Sequence, residues 1–126
     1  MNRVWQEQLD KAGANPRDDY LISSSGLAAQ LGEAGVKVLD ATTHLRPTED
    51  GGFSSEPGFD DFLSEHIPGA QFADLQGALS DAESSFRFTV PSAGQFARSV
   101  GDLGITASDE VVIYSSTHPM WATRMW

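Results

Sequence analysis

Short apolar strands alternating with helical stretches predict an α/β fold: a central, mostly parallel sheet flanked by helices. Two segments carry that expectation. Val36-Lys37-Val38-Leu39-Asp40 reads as a buried strand that stops at an acidic residue. Glu110-Val111-Val112-Ile113-Tyr114 places four apolar residues, three of them β-branched, after a polar turn. In open α/β sheets chemistry gathers at the C-terminal ends of the strands, here Asp40 to His44 and Ser115 to Met120.

The remaining elements follow in chain order. Residues 1–19 form a polar arm in which Trp5 and Leu9 have helical spacing, so either a short helix or a partly mobile segment is expected. Tyr20-Leu21-Ile22 predicts an edge strand. Ser23, Ser24 and Ser25 offer capping oxygens to a helix carrying Leu27, Ala28 and Leu31, with Gly32 at its left-handed end. Thr42 to Pro57 is rich in Gly, Ser, Thr, Pro and acidic residues and predicts a long surface loop. Phe59 to Glu65 predicts a short helix with Phe59, Phe62 and Leu63 on one side. Pro68-Gly69 demands a turn, and Gln71-Phe72-Ala73 predicts a short strand. Residues 76–89 are irregular. Ser92 with Gln95 is a capping-box pair opening a helix that presents Phe96, Val100 and Leu103 and stops at Gly104. Ser115 to Pro119 predicts a loop and Trp121 to Trp126 a further helix.

A chain of 126 residues fits one domain, and 40% hydrophobic residues suffice for a core. The net charge of −10 comes from 18 acidic and 8 basic residues, with no Lys/Arg cluster. Such a surface repels phosphate, so neither nucleic acid nor an anionic membrane is an expected partner. Met1 to Tyr20 has no apolar signal segment and no stretch is long enough to span a bilayer, which predicts a cytoplasmic setting. There is no cysteine, so disulfides, thiolate metal sites and a thiol nucleophile are excluded within this chain. His44, His66 and His118 lie in separate segments at spacings that match no metal motif; neither a metal nor a cofactor is expected.

Several of these features resemble the rhodanese family. Val36 to Ala41 is similar to the family strand that ends in Asp. Phe62-Leu63-Ser64-Glu65-His66-Ile67-Pro68-Gly69-Ala70 resembles its signature, an aromatic residue followed by His-Ile-Pro-Gly-Ala, although Ala73 stands where a larger apolar residue is usual. Glu110 to Tyr114, with Leu103-Gly104-Ile105 before and Trp121 to Trp126 after, resembles the N-terminal half of two-domain thiosulfate or 3-mercaptopyruvate sulfurtransferases. The likeness runs from about Tyr20 to Trp126. In the signature, Pro68 fixes φ, Gly69 opens a conformation closed to other residues and His66 can bond nearby backbone, so the motif reads as structural. Asp40, at its strand end, reads as a fold-stabilising acceptor.

The resemblance implies a persulfide mechanism: a thiolate takes sulfane sulfur from a small anionic donor and passes it on. Ser115 stands at the approximate position of the family's cysteine, and a hydroxyl cannot hold transferable sulfur. The chain alone is therefore expected to be inactive. A Cys-bearing C-terminal domain, in the same or another chain, would supply the nucleophile. His118, Met120, Trp121 and Arg124 become candidates for the cleft between the two. Met120 and Trp121 would either shield a persulfide or serve as ordinary core. Arg124 would either attract the anion or pair with a surface carboxylate. Family domains continue with one more parallel strand and a closing helix. The resemblance thus implies that the domain at 20–126 lacks its last strand and helix, and that a partner domain or self-association covers the gap. Two other readings compete: a stand-alone, inactive regulatory or protein-binding module, and a hydrolase using Ser115 with His118. The second lacks an orienting acid and a strand-turn-helix nucleophile elbow.

Overall fold

The computed structural model describes residues 19–126. The arm or helix expected around Trp5 and Leu9 lies outside the described residues. The chain divides into two compact units, with the boundary between Leu31 and Gly32.

In the first unit, helix α1 spans Ser24–Gln30. Ser23 is its N-cap: the hydroxyl accepts the Gly26 N–H at 3.0 Å, as the serine run predicted. Leu27 is its buried residue. The edge strand expected at Tyr20 to Ile22 does not form. Tyr20 and Leu21 are more than half exposed, and a run of three apolar residues is too short to hold a strand by itself.

The second unit is built on a three-stranded parallel sheet in the order β4-β1-β5, with β1 Val36–Asp40, β4 Gln71–Phe72 and β5 Glu110–Tyr114. Val36 registers with Glu110 and Asp40 with Tyr114 along β1 and β5; Leu39 and Asp40 register with Gln71 and Phe72 of β4. The central strand is the most buried, the pattern expected where both edges are paired. Among the described residues β1 is the sole partner of β5 in the sheet.

One face of this sheet presents Leu39, Ala41, Val111 and Ile113. Helices α3, Ala93–Asp102, and α4, Pro119–Met125, bring Val100, Trp121 and Met125 to the same cluster. Leu75 and Leu79 of the irregular stretch complete it. Each such side chain, taken fully out of water, contributes about 2 kcal/mol. The capping box at α3 is half made. Ser92 accepts the Gln95 N–H at 3.2 Å, but the Gln95 amide reaches outward to the Ala78 and Ser80 carbonyls. It thus ties the irregular segment to the helix. Gly32 and Gly104, past the helix ends, carry φ of 84° and 73°, the left-handed stops the sequence predicted.

The stretch Thr42 to Pro57 is not a loop. It is an antiparallel hairpin of β2, Thr43–Pro47, and β3, Phe53–Pro57, in which Leu45 registers with Ser55. Its tip is closed by backbone bonds from Thr48 to Gly52 and from Gly51 to Thr48, with Gly51 at positive φ. The Thr48 hydroxyl and the Gly52 N–H hold the Asp50 carboxyl below its ordinary range. Both strands are mostly solvated, so the residues that mark a loop are tolerated in them. Helix α2, Phe59–Ser64, is one residue shorter than expected and buries no residue fully. Phe59 and Phe62 meet Phe72 of β4, with ring centroids 5.3 and 5.7 Å away, whereas Leu63 is 64% exposed and leaves the expected apolar side. Helix α4 begins at Pro119, two residues before the expected start, because Pro at the first helical position lacks only an N–H that would be unpaired there.

Candidate functional site

The C-terminal ends of β1 and β5 meet the Pro-Gly turn, and this rim brings together most of the candidate residues. Asp40 is 3% exposed, and its carboxylate accepts the Thr42 N–H at 2.8 Å. The Asp40 carbonyl accepts the Ala73 N–H at 2.8 Å, so one residue fixes the exits of both β1 and β4. In the turn, Gly69 has φ 79° and the Ala70 N–H returns to the Ile67 carbonyl at 2.9 Å. His66 Nδ1 lies 2.6 Å from the Phe62 carbonyl, and its ring stacks on Phe62 at 4.0 Å. With that carbonyl as acceptor, Nδ1 carries the proton. His66, Phe62, Pro68 and Gly69 act together as a clasp between α2 and β4.

Tyr114 joins this clasp to β5: its hydroxyl oxygen accepts the Ile67 N–H at 3.2 Å. Burial pushes the phenol up to about 12; the Ile67 amide works against the rise and the neighbouring Asp40 carboxylate adds to it. Nothing in the sequence singled out Tyr114 beyond its place as the last strand residue.

The loop after β5 is held by hydroxyl groups. Ser115 Oγ accepts N–H bonds from Thr117 at 3.3 Å and His118 at 3.4 Å, both long, and lies 3.2 Å from Thr117 Oγ1. Thr42 Oγ1 accepts the Ser116 N–H at 3.0 Å, and Thr117 Oγ1 donates to the Thr43 carbonyl at 2.8 Å. Thr42, 1% exposed, therefore organises the loop from the other strand. The run Asp40-Ala41-Thr42-Thr43 at a strand end was the available signal for that role. Gly58 makes room for it: a Cβ there would meet Thr42 at 2.6 Å.

His118 caps α4, with Nδ1 accepting the Met120 N–H at 3.1 Å. A ring nitrogen so engaged is not available to take a proton from Ser115, which removes the chemical basis of the hydrolase reading. Trp121 is 6% exposed and packs on Phe88 with centroids 4.9 Å apart, so it is a core residue; Met120 is 40% exposed beside it. Among the described residues Arg124 pairs with no surface carboxylate and is turned instead to backbone carbonyls. Its Nε donates to the Phe88 carbonyl at 2.9 Å and its Nη2 to the Leu79 and Thr89 carbonyls at 2.8 and 3.3 Å. Burial lowers the pKa of its guanidinium. It clamps the irregular segment to α4, and the clamp holds Phe88 at a φ of 59° that phenylalanine rarely adopts.

An open hollow of about 590 Å³ lies on this rim, lined by Asp40, Asp61, Glu65, His66, Tyr114 and Ser116 among others. No Lys or Arg lines it. His44, on β2, is drawn to Asp61 of α2 at 2.6 Å. Among the described residues no three His, Asp or Glu side chains converge on a metal position, and no helix is long and apolar enough to cross a membrane. The rim offers amide N–H groups, hydroxyls and carboxylates, but no nucleophile stronger than a serine.

No family model matches the chain. Individual relatives do. Over 128 residues, 98% of this chain and 35% of the relative, it is 33% identical to thiosulfate/3-mercaptopyruvate sulfurtransferase 2 of Arabidopsis thaliana. It is 34% identical to the thiosulfate sulfurtransferase of Gallus gallus over 83% of the chain and 34% of the relative. Among solved structures it is similar to SseA of Escherichia coli, a 3-mercaptopyruvate sulfotransferase described as having the "Rhodanese" fold. The TM-score is 0.71 at 26% identity, covering 85% of this chain and 38% of SseA. The chain thus spans about a third of the length of these relatives.

Proposed function

The chain belongs to the rhodanese family, and from that premise we propose that it is the cysteine-free, N-terminal half of a thiosulfate or 3-mercaptopyruvate sulfurtransferase. It contributes cleft and structural residues to a Cys-bearing domain, and the persulfide forms on that partner. The observation that carries this reading is Ser115. Its hydroxyl occupies the loop after β5, facing the Thr117 and His118 amides, in a chain with no cysteine anywhere. Amides aimed at one point suit a thiolate or an incoming anion, but the serine cannot carry sulfur.

In this assembly Met120 flanks the persulfide as an apolar wall, and Trp121 supports it from the core. Arg124 is committed to carbonyls and the hollow on the rim is acidic, so the cations that bind the anionic donor come from the partner domain. Asp40 and the signature residues keep the rim in shape. The edge of β5 that has no strand neighbour among the described residues is where the partner, or a second copy, adds its strand. The setting is cytoplasmic, with neither nucleic acid nor membrane as a partner.

The test is reconstitution. The chain is assayed for thiocyanate production from thiosulfate and cyanide, and for sulfur release from 3-mercaptopyruvate to an added thiol, alone and with a Cys-bearing rhodanese domain added. No turnover alone, and a rise in the turnover of the Cys-bearing domain when the chain is present, support the reading. Turnover by the chain alone, or no effect on any Cys-bearing domain, overturns it and favours a binding module.

A further inference from the structure

We infer that His118 is an acid-sensitive latch on the loop at the sheet rim. In its neutral form it caps α4 and closes residues 115–118; on protonation it releases the Met120 amide. The inference rests on hydrogen-bond geometry and holds whether or not the chain serves a sulfurtransferase.

His118 has the extended backbone of an N-cap, φ −148° and ψ 136°. Pro119 follows and has no N–H. The Met120 amide is therefore the first donor that the helix must satisfy, and the His118 ring accepts it through Nδ1 at 3.1 Å. An imidazolium has donors on both nitrogens and cannot accept. Its charge would also sit at the positive end of α4. Both effects break the cap in acid. The same residue's N–H donates to Ser115 Oγ, so the latch joins the helix start to the loop start.

Among the described residues His118 makes no ion pair. The loop docks on Thr42 and Thr43 through hydroxyl bonds that do not titrate. At that junction Asp40 is engaged with the Thr42 amide and His44 with Asp61 of α2. On α4 itself, Arg124 is turned to the carbonyls of Leu79, Phe88 and Thr89. Acid should thus loosen the α4 side of the loop and leave the Thr42 side in place.

Amide exchange followed by ¹⁵N NMR on the full chain tests this, with protection corrected for the intrinsic pH dependence of exchange. Between about pH 8 and pH 5, Met120 protection is expected to fall about fivefold, while the Ser116 amide and the β1 amides stay constant. His118→Asn keeps an acceptor that does not titrate, so its Met120 protection stays high and flat. His118→Ala is low at both pH values. A flat profile in the unmodified chain overturns the inference, and so does a His118→Asn profile that still falls in acid.

Discussion

Two segments meet at the end of the sheet and are held by opposite means. The signature turn, residues 66–70, is fixed by its covalent structure: a proline ring, a glycine at φ 79° and a histidine ring stacked on the preceding helix. The loop at 115–118 has only its last residue followed by a proline. It is held by three hydroxyls and a histidine cap. In the first arrangement Pro68 restricts the unfolded chain as well as the folded one. The second depends on partners brought from distant sequence. A covalently restricted turn and a hydrogen-bonded loop are thus set side by side, bridged by the Tyr114 hydroxyl.

Substitutions can break this comparison at graded strengths. Arg124→Met should cost most, about 3 kcal/mol in urea melts, because three carbonyls lose a charged donor and Phe88 loses the support for its backbone. The irregular segment around Leu79 and Phe88 would then be shown to lean on α4 rather than on itself. Gly69→Val should cost about 2 kcal/mol. A side chain there has open space around it, so the whole penalty is backbone strain. A cost near zero would mean that the turn is not the rigid member of the pair.

Tyr114→Phe should cost about 1 kcal/mol at neutral pH through the unpaired Ile67 amide, and it should change both segments at once in NMR spectra. Its pH signature has a definite sign. The folded chain favours the neutral phenol, so that contribution is fully present below pH 10.0 and is lost as the pH rises through about 12. The alkaline limb of the stability curve should be shallower in the variant. Thr42→Val is the mildest, under about 1 kcal/mol, and should speed exchange at the Ser116 amide with the signature turn unchanged. Equal effects on both segments would deny their independence.

What could be read from the sequence follows the same division. The strands at Val36 and Glu110, the serine caps at 23 and 92, and the turn at Pro68-Gly69 rest on local rules, and each is present. The hairpin at Thr43 to Pro57 escaped because its strands are solvated, so no apolar alternation marks them. Its Asp50-Gly51-Gly52 tip was the overlooked signal. At the site, the positions of Asp40, His66 and Ser115 were legible. The work of Arg124, Thr42 and Tyr114 was not, since their partners lie tens of residues away and carbonyl acceptors leave no trace in a sequence.

The register of β1 with β5 also bears on how the chain is made. Thr42 and Ser116, neighbours across that register, are 74 positions apart. Closing so long a loop costs about 4 kcal/mol of chain entropy before any contact repays it. The hairpin of β2 and β3 is the only strand pair among the described residues that local sequence can nucleate. During synthesis β1, the most buried strand of the finished sheet, therefore waits with one edge unpaired until β5 leaves the ribosome. Folding should be slow for the size of the chain, and that waiting strand is where a nascent-chain holdase has most to bind.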